Sequence, residues 1–263
     1  MRTPVISLLT DFGSADHYVA AMKGVMLDIC PKVQLVDISH EIARYGIAEA
    51  GYTLAQAWRS FPAGTVHLVV VDPGVGGPRR PILAEAGGHC FVAPDNGVLS
   101  SALTGAAGIR VREITASRYF RKPLSQTFHG RDIFAPVAAH LASGMVPGRF
   151  GKVVTDWVRL DAALPRRVTA RKWAGEVLKI DRFGNIITNL DGETWERAVK
   201  GPFEVKVGTG TVSRLASYYA GGGHGAPFLI RGSAGYIEVS INKGSAAEVL
   251  GAKVGSIVNF RLL

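Results

Sequence analysis

The residues best placed to do chemistry start with Asp72, Arg79 and His129. Leu68-Val69-Val70-Val71 reads as a buried strand, and it stops at the carboxylate of Asp72. Pro73-Gly74-Val75-Gly76-Gly77-Pro78 follows, and then Arg79-Arg80. Proline fixes φ and removes a donor, while glycine permits positive φ and a close approach to the backbone. Such a loop can bring Arg79 back to the carboxylate, although the same stretch also reads as a strand, a turn and a surface arginine pair. His129 precedes the apolar face of Ile133, Val137 and Leu141, which puts it at the start of a helix that ends at Gly144. A helix N-terminus depresses the pKa of a nearby imidazole. Carboxylate, guanidinium and imidazole are groups that move protons and hold small polar reactants.

Three further stretches carry unusual polar residues. Asp11 ends the short apolar run Val5-Ile6-Ser7-Leu8-Leu9-Thr10. Asp181-Arg182-Phe183-Gly184-Asn185 lies between apolar runs. In Tyr236-Ile237-Glu238-Val239-Ser240-Ile241-Asn242, period-two alternation puts Ile237, Val239 and Ile241 on one face and Glu238, Ser240 and Asn242 on the other. Turn chemistry and a solvent-facing strand side account for the last two stretches when each is taken alone.

The elements that must position these residues alternate in the first half. The strand from Val5 is followed by Asp16 as a helix cap and by Val19, Met22, Met26 and Ile29 at helical spacing, up to Pro31. A strand over Val33 to Ile38 and a helix through Ile47, Ala50, Leu54, Ala57 and Trp58 lead to the Asp72 strand. Pro81 to Ala84 and Cys90 to Ala93 read as strands joined through Gly87-Gly88. The second delivers the loop Pro94-Asp95-Asn96-Gly97 ahead of a short helix, and Ile109 to Ile114 is another strand. The expectation is an α/β N-terminal domain, a mostly parallel sheet flanked by helices, with catalytic groups at the C-terminal strand edge. It spans 1–160, with a linker at 161–172. Beyond it, Glu176 to Ile180, Phe203 to Val207, Phe228 to Ile230, Tyr236 to Ile241 and Ser256 to Leu262 predict a smaller all-β barrel domain over 173–263.

Composition narrows the function classes. With 47% hydrophobic and 19% charged residues the chain suits a globular protein, and no apolar run approaches the length of a membrane span. The run from Val5 is too short for a signal-peptide core, so the expected location is the cytoplasm. Two cysteines make no disulfide framework, and His17, His40, His67, His89, His140 and His224 have no metal-ligand spacing. His17 and His129 stand out because both lie in strand-to-helix loops. The net charge of +9 is spread along the chain apart from Arg118, Arg121 and Lys122, and Arg159, Arg166, Arg167, Arg171 and Lys172. With no nucleic-acid module present, it reads as a solvated basic surface. Gly74-Val75-Gly76-Gly77-Pro78-Arg79 fails the dinucleotide fingerprint at Arg79 and Pro78. There is also no phosphate-binding lysine loop and no nucleophile elbow.

The chain resembles the S-adenosylmethionine hydroxide adenosyltransferases, or SAM hydrolases, relatives of the SAM-dependent chlorinase and fluorinase. The matching segments are Leu-Leu-Thr-Asp-Phe-Gly with Asp-His-Tyr-Val, Val-Asp-Pro-Gly-Val-Gly, Phe-His-Gly-Arg-Asp-Ile-Phe-Ala-Pro, Asp-Arg-Phe-Gly-Asn-Ile-Ile-Thr-Asn, and Ser-Ala-Gly-Tyr-Ile-Glu-Val-Ser-Ile-Asn-Lys-Gly-Ser-Ala. They run in order from residue 8 to residue 246. The resemblance implies hydrolysis of S-adenosyl-L-methionine to adenosine and methionine, with no cofactor and no metal. It implies a homotrimer whose sites lie between the N-terminal domain of one subunit and the C-terminal domain of the next. The catalytic set would be Asp72, Arg79 and His129. Asp11 would bind the ribose, with Asp16, His17 and Tyr18 in the adjoining loop. Methionine and adenine contacts would fall on Asp181, Phe183, Asn185, Ser233 and the strand through Glu238 to Asn242, with Glu238 either a contact or plain barrel surface. The halogenases carry tyrosine where this chain has Asp72, and a halide-binding serine where it has Gly130. A carboxylate repels a halide and can hold a water. The competing expectations are a chlorinase-like halogenase and a non-catalytic adenosine or SAM binder.

Overall fold

The computed structural model describes residues 3–161, 164–198 and 201–263. The chain divides into two compact units, Met1–Asp161 and Ala162–Leu263.

In the first unit, β1 (Val5–Thr10), α1 (Tyr18–Ile29), β2 (Gln34–Ser39), α2 (Ile47–Ala57) and β3 (Val66–Val70) alternate. They are followed by the hairpin β4 (Pro81–Ala86) and β5 (His89–Pro94), α3 (Ser100–Leu103), β6 (Arg110–Glu113), a π-helical turn at Gly130–Phe134, α4 (Ala135–Ala142) and β7 (Val153–Val154). The sheet order is β2-β1-β3-β5-β4-β6-β7. The pairings from β2 to β5 are parallel, and those from β5 to β7 are antiparallel. The sheet is therefore mixed, where a mostly parallel one was expected. Parallel neighbours need a crossover helix, whereas β4 and β5 are joined by Gly87-Gly88 alone, which reverses the direction.

β3 is buried along its whole length, because both faces of the sheet are covered. Ile6, Leu8, Leu68 and Val70 join Met22, Met26, Phe134 and Val137 in one core. Leu9, Val69, Val71, Leu54, Trp58 and Phe91 form the core on the opposite face. Asp16 is not the cap of α1. The capping position is His17, already in right-handed helical geometry and without a side-chain cap bond, so Asp16 lies one residue too early and is exposed.

The second unit carries β8 (Arg166–Thr169), β9 (Lys172–Ile180), β10 (Ile186–Asp191), α5 (Gly192–Ala198), β11 (Phe203–Val207), β12 (Gly210–Val212), β13 (Phe228–Arg231), β14 (Tyr236–Ser240), α6 (Ala246–Leu250) and β15 (Ile257–Leu262). They form a nearly closed, barrel-like antiparallel sheet in the order β12-β11-β15-β9-β10-β14-β13, with β8 on β9. The linker expected at 161–172 thus contains β8, while residues 162 and 163 lie outside the described residues. All four β8 residues are exposed, so no alternation marks the strand, and backbone pairing to β9 makes it. Among the described residues no helix is long and apolar enough to cross a membrane.

Candidate active site

In the first unit the sheet brings Asp11 and Asp72 to one edge. Thr10 pairs with Val70 across the parallel β1–β3 ladder, so the next residues of both strands leave the sheet side by side. Asp72 is buried, its side chain 5% exposed, beside an Arg79 side chain that is 10% exposed. Arg79 Nε donates to Asp72 Oδ1 at 2.9 Å, and its terminal Nη2 donates to Oδ2. This is the two-point fork that a planar guanidinium makes with a carboxylate. The expected return of the loop is therefore present as a direct contact.

The third group arrives from 50 residues further along the chain. The same Arg79 Nη2 lies 2.8 Å from Nδ1 of His129, and the guanidinium also stacks over the Phe134 ring at 5.2 Å. Arginine can only donate, so the hydrogen-bond network assigns Nδ1 as the acceptor and leaves the imidazole proton on Nε2. Burial, followed by the Arg79 charge, holds the His129 pKa below its ordinary value, and the Asp72 and Asp132 carboxylates offset this only in part. His129 is thus neutral near pH 7. Its Nε2 is buried without a partner among the described residues, so a donor beside the Asp72–Arg79 pair stands ready for a guest. His129 occupies the N-cap position of the π-helical turn, an irregular helix form that is frequent at functional sites.

The remaining ribose-side expectations fall around this cluster. Asp11 Oδ2 accepts from the Tyr45 amide at 2.9 Å. Asp16, His17 and Tyr18 are exposed. Tyr18 meets Phe128 edge-on at 5.1 Å and Phe12 at 5.5 Å, which ties the Asp11 loop to the residue before His129. The sequence reading had given Phe12 and Phe128 no role of their own, because an aromatic in a loop has no periodic signature. A Cβ at Gly130 would lie 3.2 Å from Met22 Sδ, 3.4 Å from the Phe128 ring and 3.5 Å from Val70 Cγ1. The Phe128 and Val70 distances are ordinary contacts, and the Met22 sulfur would have to give by a few tenths of an ångström to admit a Cβ.

The second unit gathers its own candidates. Asp181 Oδ1 accepts from the amides of Phe183 and Asn185 at 2.8 and 2.9 Å, and Oδ2 accepts from Asn185 Nδ2 at 2.8 Å. This carboxylate builds its own turn, which leaves the Phe183 ring 77% exposed. Ser233 is exposed in the β13–β14 turn, and Asn242 is half-buried after β14. Glu238 is not barrel surface: it is buried, and so is Ser240 on the same strand face. The strand's polar side is covered because Glu238 Oε2 accepts from the Tyr219 hydroxyl at 3.1 Å and Oε1 packs against Gly232, where a Cβ would have no room. Burial is the main cause that pushes the Glu238 pKa up, with the Asp181 charge adding to it. The Tyr219 hydroxyl is pushed up to about 12, chiefly by burial. The sequence reading missed Tyr219; no spacing relates it to Glu238. Among the described residues no three His, Cys, Asp or Glu side chains gather as a metal site.

Residues 6–151 match the SAM hydroxide adenosyltransferase N-terminal domain, and residues 175–259 match the C-terminal domain of the same family. The chain belongs to the SAM hydroxide adenosyltransferase family. It is 40% identical over 257 residues to the (R)-S-adenosyl-L-methionine hydrolase of Thermus thermophilus, an alignment that covers 95% of this chain and 96% of that one. A more distant relative is the fluorinase of Nocardia brasiliensis, 27% identical over 300 residues, covering 99% of this chain and 98% of that one. The crystal structure of an uncharacterised conserved protein from Thermotoga maritima superposes with a TM-score of 0.90 at 37% identity, covering 98% of this chain and 100% of the other.

Proposed function

We propose that this family member hydrolyses S-adenosyl-L-methionine to adenosine and L-methionine, with Asp72, Arg79 and His129 as the reacting cluster. The observation that carries this reading is the Arg79 guanidinium tied to both Asp72 and His129, which leaves a buried, unpartnered Nε2–H beside a carboxylate. The Thermus relative, similar over nearly the full length, supports the choice of substrate.

The substrate brings its own leaving group. Water oxygen forms a bond to ribose C5′ as the C5′–S bond breaks. The bonding pair goes to sulfur, which loses its positive charge and departs as a neutral thioether, so no acid is needed to protonate it. Catalysis then reduces to placing a water in line and taking its proton. His129 Nε2–H donates to the water and cannot serve as the base, since Nδ1 is engaged by Arg79. Asp72 accepts the proton and passes it to solvent. Each Asp72 oxygen keeps a second acceptor direction after the Arg79 fork is made. Asp11 would hold the ribose hydroxyls, with Asp16, His17 and Tyr18 lining its loop. Asp181 and Glu238 would meet the methionine ammonium, and Phe183, Asn185, Ser233 and Asn242 would contact adenine and the methionine backbone.

The finer parts of this reading are the domain limits 1–160 and 173–263, and a cytoplasmic homotrimer that needs neither cofactor nor metal and does not bind nucleic acid. In that trimer the N-terminal domain of one subunit and the C-terminal domain of the next would share each site. Sedimentation equilibrium tests the trimer, and a dimer or monomer that retains full activity overturns it. Product analysis in ¹⁸O-labelled water tests the chemistry. Label in the 5′-hydroxyl of adenosine is the expected outcome, and unlabelled adenosine overturns water as the nucleophile.

The halide-transfer reading is weaker. The fluorinase relative is 27% identical against 40% for the Thermus hydrolase, and position 72 carries a carboxylate, which can accept a proton from water and has no such use with a halide. Incubation with S-adenosylmethionine and chloride, followed by chromatography, separates the two: 5′-chloro-5′-deoxyadenosine as the main product would replace the hydrolase reading. Tight binding without turnover would favour the non-catalytic binder instead.

A further inference from the structure

We propose that Asp95 and Asn96, adjacent residues after β5, are positioning residues that hold both ends of the loop carrying Asp72 and Arg79. The inference rests on the hydrolase reading above. At the start of the loop, Asn96 Nδ2 donates to the carbonyl of Val71, the residue before Asp72, at 2.9 Å. The amide is oriented for this because its Oδ1 accepts from the Val98 backbone at 3.2 Å. At the other end, the Asp95 backbone donates to the carbonyl of Arg80 at 2.8 Å. Arg80 Nε donates to Asp95 Oδ2 at 2.9 Å, and Nη2 lies 2.7 Å from the same oxygen. The Asp95 carboxylate is itself fixed: its side chain is 2% exposed, and Oδ1 accepts from the Val158 amide at 2.8 Å.

Neighbouring arginines are thereby sent to different partners. Arg79 goes to Asp72 and His129, while Arg80 goes to Asp95 and to Asp156, which it meets through Oδ1 and the carbonyl at 3.0 Å each. The loop between them has little to stiffen it from within. Its backbone bonds are Val75 to Asp72 at 3.3 Å and Gly77 to Gly74 at 3.0 Å, and three of its residues are glycines with wide conformational freedom. Holding both ends removes that freedom without touching the reacting groups. A misplacement of about 1 Å far from the chemistry can cost on the order of 100-fold in rate, so a clamp on the loop ends acts on turnover more than on substrate affinity.

The test is steady-state kinetics on folded protein, well below the melting temperature. Asn96→Asp keeps the size and the acceptor for Val98 but loses the donor to Val71. Asp95→Asn keeps the shape but weakens the hold on Arg80. Both are expected to lower kcat roughly 10- to 100-fold with KM for S-adenosylmethionine within about two-fold of wild type, and Asn96→Gln is expected to restore part of the loss. Should Asp95→Asn not fold, Asn96→Asp decides alone. A kcat per folded molecule within two-fold of wild type, with only the melting temperature lowered, overturns the proposal. An Asp72→Asn control separates the two levels. If it abolishes turnover while Asn96→Asp does not lower it, the clamp fails and the hydrolase reading stands. If Asp72→Asn leaves turnover intact, it is the reading of the site that fails.

Discussion

The two units handle buried carboxylates in opposite ways. In the first, Asp72 is matched by a guanidinium fork and its charge is compensated inside the chain. In the second, Glu238 is equally buried but its hydrogen-bond donor is the neutral Tyr219 phenol, and the charge that acts on it is the repulsive one of Asp181. A compensated pair keeps one geometry, which suits a group that must meet a reactant in a fixed direction. Two acids drawn together, with no cation paired to Glu238 among the described residues, suit a site that receives its positive charge from a ligand. In the hydrolase reading that ligand is the ammonium of S-adenosylmethionine.

Mutations break this contrast in order of effect. Asp72→Asn removes the proton acceptor while it keeps the shape of the site. Adenosine release, followed by chromatography, should fall about 10²- to 10⁴-fold; near wild-type release would remove Asp72 from the role of base. Arg79→Met leaves Asp72 buried without its cation. Breaking such a pair costs roughly 3–5 kcal/mol, so urea denaturation should show a large loss for the first unit, and an unchanged midpoint would mean that the pair is not compensating. Glu238→Gln should behave differently, because among the described residues Glu238 takes part in no ion pair. The expected result is a rise in KM of about ten-fold, or about 1.4 kcal/mol, with kcat and the melting temperature nearly unchanged. A collapse in stability instead would assign Glu238 to the fold.

A further effect is a divergence with pH. His67 is fully buried between Ser7 and His89, stacks on the His89 ring at 5.1 Å, and has its pKa lowered to about 3, chiefly by burial. His89 is also lowered by burial. In the unfolded chain both bind protons near the ordinary value of 6.5, while the folded form resists. Their contribution is therefore complete above about pH 6.5 and is lost as pH falls towards 3, at about 1.4 kcal/mol per pH unit for one histidine. Glu238 has the opposite sign: its raised folded pKa gives stability at low pH that is lost as pH rises through that pKa. Region-resolved hydrogen exchange at pH 7 and pH 5 should show protection falling in the first unit by more than in the second. Equal changes in both would erase the contrast.

Several features were legible from residue order alone. The helix spacing of Met22 and Met26, the run into Asp72 and the Pro/Gly loop back to Arg79 are all local, and local patterns report local geometry. β10 was not legible. It holds buried Thr188 and Asn189, whose polar atoms bond to the Ile237 carbonyl and the Glu176 amide, so a strand core was written with residues that read as a turn. The direction of β4 against β5 and the burial of Glu238 were hidden for a related reason, since strand pairing and coverage depend on partners far along the chain.

From the sequence by itself came the two-part organisation of the chain, the carboxylate at a strand end and the glycine-rich return to arginine, because each rests on residue types within a few positions of one another. The tertiary structure alone decided that one guanidinium serves both Asp72 and His129, that the imidazole proton sits on Nε2, and that Glu238 is buried under Tyr219. Those outcomes depend on desolvation and on contacts between distant segments. Neither is a property of a residue or its neighbours in the chain; both exist only once the sheet has closed around them.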